Sequence, residues 1–187
     1  MFCAVELPQT ARHLVLRHIA HLKEKVLHTK ASWAHDANLH LTLKFLGEIP
    51  TASVADLSKA VSQAASHVQP FSIRLEHTGI FPPRGQPRVL WIGVNDVSEK
   101  LLELHARLED ESVQVGFAKE TRPFHPHLTI ARLRQADNAR TLANAHQHME
   151  FDPLEIAVAE LLVIRSELSS AGSKYTIVSQ HPLFGVR

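Results

Sequence analysis

The chain has 187 residues, 44% of them hydrophobic, enough apolar side chain for one domain or two small lobes sharing a cleft. Twenty Lys+Arg against nineteen Asp+Glu leave a net charge of +1, which excludes the global basic footprint of a protein that coats nucleic acid, so any RNA contact has to be local. The single cysteine, Cys3, excludes an internal disulfide, and the opening residues lack a basic segment followed by an apolar stretch; a cytoplasmic protein, neither secreted nor membrane-spanning, is expected.

In chain order, residues 1–7 (MFCAVEL) read as a short strand, and Val15, Ile19, Leu22 and Val26 after Pro8 recur at helical spacing. Leu39, Leu41, Leu43 and Phe45 then alternate with His40, Thr42 and Lys44, the period of a strand with one apolar and one polar face, which Gly47 and Pro50 end. A second helix runs through Val54, Leu57, Val61, Ala65 and Val68, Pro70 closes it, and the strand 71–80 follows. The segment 81–88 (FPPRGQPR) reads as a loop, 89–94 as a strand, and Val97, Leu101, Leu104 and Leu108 as a third helix. Residues 125–132 (HPHLTIAR) read as a strand, 136–149 as a helix, 154–165 as a strand and 174–180 as its hairpin partner.

The order helix, His-bearing strand, helix, strand, strand therefore occurs twice at similar spacing. The spacing predicts an α+β fold, duplicated and bilobal, with two antiparallel sheets facing a central cleft and helices packed on the outside. Residues 1–187 form one such domain, with approximate repeats 1–94 and 95–187.

Each half carries one strand with His-Leu-Thr and a following aliphatic residue: His40-Leu41-Thr42-Leu43 and His127-Leu128-Thr129-Ile130. Successive strand side chains point to opposite faces, so each His and Thr emerge together while the aliphatic residues enter the core. If the halves pack about a pseudo-two-fold axis, two imidazoles and two hydroxyls surround one substrate. Hydrolysis of a phosphodiester needs a base for water and an acid for the leaving oxygen. An imidazole with an ordinary pKa of about 6.5 serves either role, each worth about 10²–10⁴-fold in rate. Threonine hydroxyls can donate to non-bridging phosphate oxygens. The scheme requires no metal and no cofactor.

The segments HLTLKFLG at 40–47 and HPHLTIAR at 125–132 resemble the paired signatures of the 2H phosphoesterase superfamily, and within it the RNA 2′,3′-cyclic phosphodiesterases, also called 2′-5′ RNA ligases. The opening FCAVELP, the loop FPPRGQPRVLW and the late SEL…KYTIV segment resemble that family in order and spacing, so the likeness covers nearly the whole chain. It implies a bilobal enzyme that opens RNA 2′,3′-cyclic phosphate ends to 2′-phosphates, with 2′-5′ ligation as a reverse activity; tRNA fragments are candidate substrates, and since no oligomerisation seam is evident in the sequence a monomer is expected. It also implies His40 as the acid and His127 as the base, the opposite allocation being nearly as consistent with the sequence, and Thr42 and Thr129 as phosphate ligands. A small cyclic nucleotide or ADP-ribose cyclic phosphate as substrate, and a non-catalytic RNA-end binder, are the alternatives.

Other residues have competing readings. Arg132 ends the second motif, where strict alternation puts it opposite His127 unless a bulge re-aims it toward phosphate. Lys44 shares the face of His40 by the same alternation, with Ala131 at the matching place. His125 and His127 form an HxH pair that invites a zinc reading, but supporting ligands at suitable spacing are lacking. Arg84, Arg88, Lys119 and Arg122 are candidate rim cations, each equally readable as a solvated charge. Phe81, Phe124 and Trp91 are candidate base-stacking residues, with Trp91 better read as core. Tyr175 is left between packing and substrate contact. His146 and His148 read as solvated, and His13, His18, His21 and His28 form no ligand set.

Overall fold

A computed structural model describes residues 1–27, 30–133, 138–169 and 172–185. Among these, β1 (Phe2–Glu6), α1 (Gln9–Lys25), β2 (Ala31–Trp33), β3 (His40–Phe45), α2 (Val54–Ser66), β4 (Phe71–Phe81), β5 (Val89–Asn95), α3 (Lys100–Gln114), β6 (His127–Leu133), α4 (Ala139–Gln147), β7 (Leu154–Val158), β8 (Glu160–Ser169) and β9 (Gly172–Pro182) follow in turn. The expected helix 136–149 corresponds to α4, its first two residues lying outside the described ones, as does His28. No helix is long and apolar enough to cross a membrane, among the described residues.

Two antiparallel sheets form, ordered β3-β1-β8-β9 and β2-β6-β5-β4-β7. Helices α2 and α3 pack together over the first sheet, α2 against β8 and β9 and α3 against β3, while α4 covers β4 and carries α1 beside it. The fold is therefore α+β with outer helices, as the duplicated pattern predicts. One face of each sheet is fully buried under these helices: Cys3, Val5, Leu41 and Leu43 in the first, and Leu90, Ile92, Leu128 and Ile130 in the second. The other face of each sheet turns to a shared cleft. The motif strands β3 and β6 come close enough to pack on each other and join the sheets at its base.

The expected single strand 154–165 is two strands in different sheets. Val158 ends the pairing of β7 with β4, Glu160 begins the pairing of β8 with β9, and Ala159 is the crossing point. Ile156 and Val158 before the crossing and Leu161 and Val163 after it share one core, so apart from Glu160 the apolar run continues through the change of sheet. The three-residue β2 is too short to show a period, and its pairing with β6 covers only Ala131–Leu133. The His127–Thr129 end of β6 keeps its edge free of β2 and toward β3.

Candidate active site

Both motif strands contain the same irregularity. In β3, Ala4 pairs with Thr42 but Cys3 with Lys44; in β6, Trp91 pairs with Thr129 but Leu90 with Ala131. One residue in each, Leu43 and Ile130, is therefore bulged, and two consecutive side chains enter the core. The bulge inverts the facing of everything after it. Arg132 consequently rejoins the His127 and Thr129 face and is exposed there, so the bulge, rather than strict alternation, governs its direction. Its guanidinium acts electrostatically on both His40 and His127, so it lies within reach of both imidazoles.

The same inversion overturns the placement of Lys44 beside His40. Lys44 is 4% exposed and points into the core, where Nζ donates to both Glu109 carboxylate oxygens at 2.8 Å and to the Ala118 carbonyl at 2.9 Å. Phe45, expected inside with the leucines, is 65% exposed and takes the place in β3 that Arg132 takes in β6.

Each catalytic candidate is held by the backbone two residues before it. His127 Nδ1–H donates to the His125 carbonyl at 2.6 Å, and His40 has a hydrogen bond to the backbone at Asn38. With its proton on Nδ1, neutral His127 keeps its Nε2 lone pair free for a proton. Asn38 is in turn anchored, its Nδ2 donating to the Ser173 carbonyl of β9 at 3.2 Å. Aromatic rings complete both walls. His40 stacks on Phe2 at 4.6 Å between centroids and meets Tyr175 edge-on at 5.2 Å; His127 meets Phe81 edge-on at 5.0 Å and Trp91 at 6.3 Å.

These surroundings shape the electrostatics. Burial pushes the His40 imidazole down to about 4, opposed by the hydrogen bond at Asn38 and reinforced by Arg132. Burial lowers His127 as well, opposed by the His125 hydrogen bond and reinforced by Arg132. Both imidazoles are thus held in the neutral form at pH 7, and a nearby anion would offset the guanidinium and raise them.

Trp91 faces the cleft rather than the core. Its indole lies across Gly79 of β4, where a Cβ would come within 2.1 Å of the ring, so only glycine admits it. Its Nε1–H is buried without a hydrogen-bond partner among the described residues. Behind the sheet, His146 Nε2–H donates to the Trp91 carbonyl at 3.0 Å, which leaves His146 Nδ1 to accept from His18 Nε2–H at 3.1 Å. His146 is fully buried, correcting its reading as a solvated residue of a surface helix, and His18 is buried with it. Helical spacing could have flagged this pair, since both follow the apolar stripe of their helices.

Elsewhere the candidates divide. Arg84 and Arg88 are exposed on the loop before β5, whereas Lys119 and Arg122 have acidic partners, Asp110 at 3.2 Å and Glu120 at 2.7 Å. Phe124 has one ring face stacked on His105 at 3.9 Å. Tyr175 packs on His40 and Phe2. Among the described residues, no three His, Cys, Asp or Glu side chains converge as a metal-binding set.

Two facing sheets joined through paired His-x-Thr strands define the two-histidine class of phosphoesterase. The chain belongs to the 2′-5′ RNA ligase superfamily, whose model matches residues 10–169. It is 33% identical to the RNA 2′,3′-cyclic phosphodiesterase of Aquifex aeolicus over 87% of either chain, and 31% identical to that of Methanothermobacter thermautotrophicus over 94% of either. Its fold matches a crystal structure from Thermus thermophilus with a TM-score of 0.79 and 28% identity, covering 100% of this chain and 98% of that one. E. coli LigT complexed with 3′-AMP matches with a TM-score of 0.74 and 26% identity, over 97% and 96%.

Proposed function

We propose that this protein hydrolyses RNA 2′,3′-cyclic phosphate ends to 2′-phosphates by two-histidine acid-base catalysis without a metal. The observation that carries the reading is that two backbone-tethered imidazoles, one from each motif strand, are both within electrostatic reach of the Arg132 guanidinium. The relatives named RNA 2′,3′-cyclic phosphodiesterase and the 3′-AMP complex of LigT support a nucleotide phosphate there.

In this mechanism His127 Nε2 removes a proton from water as the water oxygen bonds to phosphorus. The bond from phosphorus to the ribose 3′ oxygen breaks, and His40 delivers a proton to that oxygen. Arg132, Thr42 and Thr129 donate to the non-bridging oxygens as their charge grows. Phosphate binding raises the depressed His40 imidazole, which helps it hold the proton that it delivers. A ribose 5′-hydroxyl in place of water gives a 2′-5′ linkage by the same transfers, which is the ligase direction.

The test is turnover of an RNA oligonucleotide ending in 2′,3′-cyclic phosphate, in excess chelator, by the parent, His40→Ala and His127→Ala. A 2′-phosphate formed by the parent alone is expected. Equal turnover by either variant, or activity that chelator removes, overturns the mechanism. A substrate with sulfur for the 3′ oxygen needs little protonation on leaving, so it should restore His40→Ala and not His127→Ala. Strong preference for a mononucleotide cyclic phosphate would move the substrate class away from RNA.

A further inference from the structure

The segment between Gln114 and His127 has no regular structure, is exposed along residues 118–123, and ends in the carbonyl that His127 uses. Its attachments converge on one carboxylate. Glu109 Oε2 accepts the Glu120 backbone N–H at 3.0 Å, and both its oxygens accept from Lys44 Nζ, which also holds the Ala118 carbonyl. His105 Nε2 lies 3.9 Å from Glu109 Oε1, and its ring stacks flat on Phe124, directly before His125. At the other end Lys44 belongs to β3, two residues beyond Thr42. A single buried ion pair therefore joins the strand of His40 and Thr42 to the approach of His127.

Stability alone is a poor explanation for the pair. Two buried charges lose much of their mutual attraction to desolvation, and apolar residues of similar volume commonly replace such pairs without loss. The fold does not demand a charge here either, since the matching place in β6 is Ala131. The neighbouring thiol, Cys3, pairs with Lys44 across β1 and is pushed up to about 12 by burial, so it contributes no competing anion.

We infer that Lys44 and Glu109 are positioning residues, which act through segment 118–125 to set the His125 carbonyl and thereby the orientation of His127 relative to His40. The inference rests on the proposed two-histidine reaction, but its structural arms do not require turnover. The decisive variant is Lys44→Met with Glu109→Leu, which removes both buried charges together. Its Tm should stay near the parent's, whereas amide exchange across 118–124 should quicken and the downfield Nδ1 proton resonance of His127 should weaken or shift. With the RNA cyclic phosphate, kcat should fall about 10–100-fold with KM changed far less, the penalty of a misoriented catalytic group.

Phe124→Ala cuts the His105 stack without touching the buried pair, and should give the same signature in weaker form even if the double variant does not fold. A folded double variant with the parental resonance, exchange and kcat would overturn the inference, as would an unaltered Phe124→Ala. A loss of kcat with the His127 resonance unmoved would overturn it too, because the effect would then bypass the His125 carbonyl. If the parent leaves RNA ends untouched while resonance and exchange change as stated, the anchor stands and the proposed reaction fails.

Discussion

Strands β3 and β6 share a motif, a bulge and a backbone tether for their histidines, yet they differ beyond the bulge. After Leu43 comes Lys44, turned inward to Glu109, and then Phe45, turned to the cleft; after Ile130 come Ala131 and Arg132. The cation of one strand is buried in the core, while that of the other stands over the site. Two strands of equal geometry thus differ beyond the motif, β3 linking to the helix layer and β6 presenting a cation on the cleft side. The rings around the histidines differ as well, His40 lying flat on Phe2 and His127 meeting its neighbours only by edges.

Perturbing each side separately breaks or sharpens this comparison. The largest effect belongs to the shared part: His40→Ala or His127→Ala should each lower kcat about 10²–10⁴-fold, and the double variant should be little worse, since both act in one step of the proposed mechanism. Next, Lys44→Met alone strands the Glu109 carboxylate in the core and should reduce unfolding free energy by about 3–5 kcal/mol in denaturant titration. A variant as stable as the parent would mean that water reaches Glu109.

Arg132→Ala should lower kcat/KM about 10²-fold, whereas Phe45→Ala, at the matching place, should alter it far less. NMR titration should also find the His40 and His127 pKa values raised in Arg132→Ala, because the guanidinium pushes both down. Thr42→Ala and Thr129→Ala should each lower kcat by about tenfold, the loss of a neutral donor that water partly replaces.

The smallest effects are in pH dependence. Both free-enzyme imidazoles are depressed, His40 to about 4, so the bell of kcat/KM should peak below pH 6.5 and that of kcat, with phosphate bound, should lie at higher pH. Stability should decline as pH falls from about 6.5 toward 4, because His40 and His18 hold protons less readily folded than unfolded, and the unfolded chain takes them up first. His18→Leu should flatten that decline. A stability curve level across this window would mean that the His18–His146 pair accepts a proton without strain.

Much of this was legible along the chain, for local reasons. Alternation in HLTL and HLTI placed His with Thr and the aliphatic residues inside, because the two-residue period of a strand is a property of the backbone. The chemistry of the pair followed from the side chains, and the likeness to one family from flanks that span most of the chain. Tertiary structure decided the rest. A bulge leaves no mark in composition, yet it exchanged Lys44 for Phe45 at the cleft and brought Arg132 to it. The crossing at Ala159 lies inside a largely apolar run that only Glu160 interrupts, since both sheets share one core. The hydrogen-bond partners of the Lys44 and His146 side chains lie 55 or more residues away, too far apart in sequence for any local pattern to join them. The sequence by itself determined which groups could perform the reaction; packing between distant segments determined which of them face one another across the cleft.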